Sequence, residues 1–228
     1  MMPPDRSLPE ELRDCRHPGA GAGSELVLVE GISAARAVDL VRHKAWQAVL
    51  PLQGKPPNVL RSSPRTVEAS PRLLAVIQAL GIGSLRAGPS HRDQYARADR
   101  ARYDRVILLF DPNPDGIHTQ ALTLLFFATF LRPLLRDGHV YAARPPRFGL
   151  TTSNGERPRF ARTEAERDQM VARHGHGVDV DTYQGIASMN PPDLAHLCLD
   201  PATRILGRLG IEHAEAAERS FIASERRR

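Results

Sequence analysis

One apolar strand that ends in alternating oxygen-bearing side chains constrains this chain more than any other stretch. Val106-Ile107-Leu108-Leu109-Phe110 is a continuous β-branched, aliphatic and aromatic run, the pattern of a strand covered on both faces in a parallel sheet. Directly after it come Asp111, Asn113 and Asp115, then Gly116, which permits a sharp turn into an apolar helix. Carboxylate and amide oxygens at alternate positions can converge on a hard cation. A second apolar run, Leu26-Val27-Leu28-Val29, ends on Glu30-Gly31. Two strand ends that each present an acid suggest a divalent-metal site on the carboxyl edge of a sheet. A solvated acidic turn is the alternative, and the DxNxDG stretch alone does not separate the two.

The remaining sequence supports an α/β architecture. Ser33 to Val41 reads as a helix capped at Ser33, and Gln47 to Leu52 as a strand whose buried part is Ala48-Val49-Leu50. Ser70-Pro71 opens a helix with Leu73, Leu74, Ile77 and Leu80 on one face and Gly81 at its end. Thr119 to Leu135 is apolar around most of its circumference, which predicts a sandwiched helix, and His139 to Ala143 gives a further strand. Such βαβα alternation is the mark of a mostly parallel sheet covered by helices. After Leu150 the texture changes. A polar helix over Thr163–His174 carries a capping box, Val178–Tyr183 reads as a short strand, and helices open at Asn190-Pro191 and Asp200-Pro201. The expected division is a lead-in over 1–24 too rich in glycine to pack, an α/β domain over 25–150, and a small, mostly helical extension over 151–228.

Charge and cysteine content narrow the class less sharply. The 228 residues hold 31 Lys and Arg against 26 Asp and Glu, a formal net charge of +5. Much of the excess is Arg, which pairs bidentately with phosphate, so a polyanionic partner is compatible; so is an ordinary basic protein. Arg86 to Arg105, dense in Arg and His, reads either as a phosphate-contacting segment or as a solvated helix. Two cysteines, Cys15 and Cys198, make no disulfide framework and point to a reducing cytoplasm. No leader is visible in Met1–Ala22, and the longest apolar run, Leu122–Leu131, is too short to span a bilayer.

Taken in order, several motifs resemble one family. They are Glu30-Gly31, then Gln47 to Lys55, then Asp111-x-Asn113-x-Asp115-Gly116-x-His118, then His139 to Pro146, then Tyr183 to Pro191 with Asp200-Pro201 beyond. The order is similar to the Toprim domain of the gyrase and topoisomerase IV B subunits, in register over nearly the whole chain. The resemblance implies a Toprim, Rossmann-like parallel sheet and a role in breaking and rejoining a DNA phosphodiester with Mg2+. It implies Glu30 and Asp111 as catalytic, metal-binding residues, with Asn113 and Asp115 as further metal positions. Lys55 and His118 would lie close to DNA, and His118 could equally serve a structural hydrogen bond at a helix start. The attacking tyrosine would belong to an A-type subunit, so the partners implied are DNA and that subunit, in a cytoplasmic, nucleoid-associated setting; a homo-oligomer is possible.

Departures from the family pattern are expected to matter. Ile32 stands where the family has an aspartate, and Asn113 keeps an oxygen where the family has a second charge, which should weaken a second metal position. Gln53, Gln120 and Gln184 replace basic residues, and Ile186-Ala187-Ser188 replaces Leu-Gly-Glu. No Gly-rich nucleotide motif is present, so no ATP site is expected in this chain and ATP-driven strand passage would need other components. Three functions remain open at this level. One is a metal-supplying Toprim component of a topoisomerase, active only within a complex. Another is a catalytically degenerate binding or regulatory module for an A-type subunit or DNA. The third is an unrelated metal-dependent phosphatase or nuclease.

Overall fold

The computed structural model describes residues 7–82, 101–152, 159–174 and 177–225. Its centre is a five-stranded sheet in the order β2-β1-β3-β4-β8, formed by β1 (Glu25–Val29), β2 (Gln47–Pro51), β3 (Arg105–Leu108), β4 (Val140–Ala143) and β8 (Leu206–Arg208). β1 pairs in parallel with both β2 and β3, β3 pairs in parallel with β4, and β8 closes the far edge antiparallel to β4. The four parallel strands therefore deliver their carboxyl ends to one edge.

The continuous apolar runs are explained by burial on both faces. Leu26, Leu28, Leu50, Val106 and Leu108 join one core cluster with residues of α3 (Pro71–Leu80) and α4 (Pro114–Phe130). Val27, Val29, Val49, Ile107 and Leu109 join the other with Ala34, Ala35 and Val38 of α1 (Ile32–Val41). Every residue of β1 is buried, and each such aliphatic side chain contributes about 1.5–3 kcal/mol relative to exposure.

The helices follow local chemistry, with some adjustments to the expected boundaries. Ser33 does not cap α1: the helix already starts at Ile32, with Gly31 at its N-cap and no capping side chain. α4 starts earlier than the apolar run, because Asn113 caps it and Pro114 supplies its first residue. It also ends earlier: Leu131 leaves helical geometry two residues before Pro133, and α5 (Arg132–Arg136) begins anew. The expected sandwich is completed by α8 (Ile211–Glu225), which packs on α4. α2 (Pro64–Glu68) is a short helix in the connection before α3.

The C-terminal part contains, besides its helices, an antiparallel sheet in the order β6-β5-β7. These strands are β5 (Phe148–Thr152), β6 (Arg159–Ala161) and β7 (Val178–Thr182), and Phe148, Leu150 and Ala161 form its buried side with Val178 and Val180 packed against them. α6 (Glu164–His174) carries the expected cap, with Thr163 Oγ1 accepting from the Glu166 N–H at 3.1 Å, while Glu166 accepts from the Arg162 N–H. α7 (Pro191–Leu194) follows, running into a wider turn over Ala195–Leu199. The helix expected at Asp200-Pro201 is a turn instead, closed by Arg204 N–H donating to the Asp200 carbonyl at 2.9 Å.

That turn is fixed by a buried ion pair. Glu25 opens β1 at 1 % exposure, and Arg204, at 9 %, donates to its carboxylate from both Nη groups, at 2.6 and 2.5 Å. Gln47 adds a third donor at 3.0 Å. The glycine-rich approach to β1 does pack: the backbone N–H groups of Gly21, Gly23 and Ser24 converge on the Asp104 carboxylate. Most of the Arg- and His-dense segment Arg86–Arg105, as far as residue 100, and the Arg226–Arg228 tail lie outside the described residues.

Candidate metal centre

Because β1 and β3 are parallel neighbours with Leu28 opposite Leu108, the residues just past their ends meet at the same sheet edge. Glu30 follows β1 and Asp111 follows β3. The first turn of α4 folds back over both. A methyl group placed on Gly116 would stand 2.7 Å from Glu30 Oε1 and 2.0 Å from the Asp111 carbonyl oxygen, so only glycine lets that turn approach.

Each acid has a distinct environment. Glu30 Oε1 is buried and has no hydrogen-bond partner among the described residues. Desolvation, then the nearby charges of Asp111 and Asp115, push the Glu30 carboxyl above the usual carboxylate range, partly offset by the Asp111 backbone N–H. Asp111 is gripped from the other side. Its Oδ1 accepts from the Ile186 N–H at 2.8 Å, and a Cβ on Gly185 would stand 2.6 Å from its Oδ2. Ser188 holds that turn by donating to the Gly185 carbonyl and accepting from the Gly185 N–H.

The other residues expected at the site have different engagements. Asn113 Oδ1 caps α4 by accepting from the Gly116 N–H at 2.9 Å, and its amide donates to the Gln184 carbonyl at 3.4 Å. Asp115 faces solvent and pairs with Lys55 at 2.7 Å, which holds its carboxyl below the usual range. Lys55 thus stands at this edge with its ammonium on a carboxylate. His118, one turn along α4, tilts against Phe221 of α8 with ring centroids 5.5 Å apart. The structure therefore brings Glu30 and Asp111 together, attaches Asn113, Asp115 and Lys55 around them, and sets His118 at a helix–helix contact.

Gly185 and Ile186 are neighbours of Asp111 that individual residues did not announce. Tyr183 to Pro191 stood out as a motif, but its backbone contact with Asp111 spans 75 positions and becomes visible only once the chain has folded.

Among the described residues no group of three or more Asp, Glu, His or Cys side chains gathers into a cage. The donor set that remains, two carboxylates with one buried oxygen left open, fits Mg2+. That ion retains several waters and is often held by only one or two carboxylates. Zn2+ or another softer ion would call for imidazole or thiolate, and none lies in the set described here.

Fold and site define a parallel α/β domain with an acid pair at the carboxyl edge of two neighbouring strands. Residues 25–145 match the Toprim domain, and the chain belongs to the Toprim domain family. It is similar to the B subunit of DNA gyrase from Haloferax volcanii, 35% identical over 217 residues that cover 94% of this chain and 32% of the relative. It is also similar to the B subunit of DNA topoisomerase 4 from Streptococcus pneumoniae, 34% identical over 200 residues covering 87% and 30%. The gyrase B protein of Archaeoglobus fulgidus is 32% identical over 215 residues. The chain is thus topoisomerase B-subunit-like and spans about a third of the length of these curated relatives. No helix among the described residues is long and apolar enough to cross a membrane.

Proposed function

We propose that this chain supplies the Mg2+-holding half of a DNA cleavage and religation centre, completed by a topoisomerase A-type subunit that carries the attacking tyrosine. The observation that carries the reading is the adjacency of Glu30 and Asp111, with the buried Glu30 oxygen unpartnered. Glu30 and Asp111 would hold the ion, which supplies neutralisation of charge on phosphodiester oxygens. Glu30, its carboxyl raised by burial, would exchange a proton with the nucleophile or leaving oxygen. Asp111, fixed by the Ile186 N–H, orients the pair. Tyr103 and Tyr183 are unsuited to act as nucleophiles: their hydroxyls donate to Asp14 and Asp193, and burial favours their protonated forms.

A second reading, a binding or regulatory module for an A-type subunit or DNA without cleavage, draws on the Asn113 cap and the Lys55–Asp115 pair, which leave two carboxylates rather than four groups for cations. The test mixes the chain with an A-type subunit and supercoiled DNA in Mg2+, then traps covalent complexes with detergent. Linear DNA that requires both proteins and disappears with Asp111→Asn supports the first reading. Metal-independent co-purification without cleavage supports the second.

A further inference from the structure

The turn after β2 carries a guanidinium that the metal centre does not use. Arg72, second residue of α3, donates from Nε to the Gln53 carbonyl at 2.9 Å. Its head then passes against Gly54, where a Cβ would stand 3.0 Å from Nη2; Gly54 also has a φ of +107°, so the passage needs glycine twice over. The same Gly54 donates its N–H to the Glu30 carbonyl at 3.3 Å, which ties the turn to the acid pair. The Gln53 side chain points away, donating to Glu11 at 2.7 Å.

Three observations give this cation an external role. Arg72 has no carboxylate partner among the described residues, whereas Lys55 at the same edge is engaged by Asp115. A single carbonyl uses Nε and leaves both Nη groups, the fork that matches two phosphate oxygens. A positive charge in the first turn of a helix also has the wrong sign for the helix dipole. α3 has no acid in that turn and no capping bond from Ser70, whose buried Oγ lacks a partner, so nothing local compensates the charge. An anion would be drawn by both the helix end and the guanidinium.

We infer that Arg72 is a phosphate-contacting residue for duplex DNA, anchored on the Gln53 carbonyl so that its Nη fork faces the strand lying over the carboxyl edge of the sheet. This inference rests on the DNA reading above and names one contact within it. Steric accommodation by Gly54 and the bond to Gln53 preorganise the fork, so little side-chain freedom is lost on binding.

Fluorescence anisotropy with a labelled random-sequence DNA duplex tests it, measuring affinity across a KCl series. The chains compared are the wild type, Arg72→Gln, Arg72→Lys and Arg132→Gln, the last an exposed arginine just past the far end of α4. Loss of one phosphate contact should lower the slope of log K against log [KCl] by about 0.9 in Arg72→Gln. Arg72→Lys should restore the slope, and Arg132→Gln should leave it unchanged. Circular dichroism melting and Mg2+ titration of Arg72→Gln should match the wild type. Wild-type binding with an unaltered slope in Arg72→Gln, or an equal change in Arg132→Gln, overturns the assignment and leaves the metal reading standing. Absence of DNA binding by every chain overturns both the assignment and the DNA part of the proposed function.

Discussion

Gly116 lies against Glu30 and Asp111 at once, so the two acids at the ends of β1 and β3 share a wall that has no side chain. A Cβ there would meet Asp111 backbone at 2.0 Å, which cannot shift without moving β3. Gly116→Ala should therefore lower the melting temperature and abolish divalent-cation binding. Gly185→Ala makes a milder contrast. Its Cβ would press on the Asp111 carboxylate at 2.6 Å, and its φ of −177° suits any residue. Thermal melting should show a near wild-type fold for Gly185→Ala, with weakened cation binding by calorimetry.

The raised Glu30 carboxyl is a statement about stability as well as chemistry. A carboxyl whose folded pKa exceeds its unfolded value contributes stability below the ordinary carboxylate range and loses it as pH rises through the folded pKa. Metal-free Glu30→Gln should consequently be more stable than the wild type at neutral pH, and the gap should close as pH falls below that range. Added Mg2+ should reverse the order. At a hundredfold excess over its dissociation constant it should stabilise the wild type by about 2.7 kcal/mol and leave Glu30→Gln unchanged. Urea unfolding at several pH values, with and without Mg2+, measures both effects.

Asn113 separates capping from metal charge. Aspartate caps a helix as well as asparagine, so Asn113→Asp should keep the bond to the Gly116 N–H while adding a negative charge beside Asp111. A unit charge about 4 Å from a cation is worth roughly 4 kcal/mol at a surface-like dielectric before desolvation, so a gain of about tenfold or more in Mg2+ affinity is expected. Asn113→Ala should instead cost about 1 kcal/mol of stability. Calorimetric titration and chemical denaturation of the two variants check this.

At the opposite edge of the sheet, Arg204→Ala would remove the two-pronged partner of the buried Glu25 carboxylate, leaving it Gln47 at 3.0 Å and Arg105 at 3.4 Å. Leaving a buried charge with no partner costs about 3–5 kcal/mol, and these two remaining donors should hold the loss to the lower end of that range, read as a lower urea midpoint. Replacing both partners, as in Glu25→Leu with Arg204→Met, should restore much of that loss.

Much of the fold was legible because its signals are local. Val106 to Phe110 and Leu26 to Val29 are apolar without alternation, which only a sheet covered on both faces explains. The acids that follow these runs reach one edge because the strands are parallel, and Glu30 and Asp111 could be paired for that reason. What escaped depends on distant partners. Glu25 stands just ahead of the apolar run Leu26–Val29 with nothing local to announce its burial, and its partner Arg204 lies 179 positions later, just after the Asp200-Pro201 turn. Lys55 and Asp115 are 60 positions apart, and the Asn113 oxygen is used by a cap as readily as by a cation. Of the β5–β6–β7 sheet only β7 is legible, as the short strand read over Val178–Tyr183; β5 lies in a stretch read as the end of the domain and a loop, and β6 has only three residues.

The central claim, that Glu30 and Asp111 hold one cation jointly, is tested most directly by Mg2+ calorimetry on the wild type, Glu30→Ala, Asp111→Asn and the double variant. The structure predicts one ion per chain, loss of binding in either single variant, and no further loss in the double. Wild-type affinity retained by either single variant would contradict it.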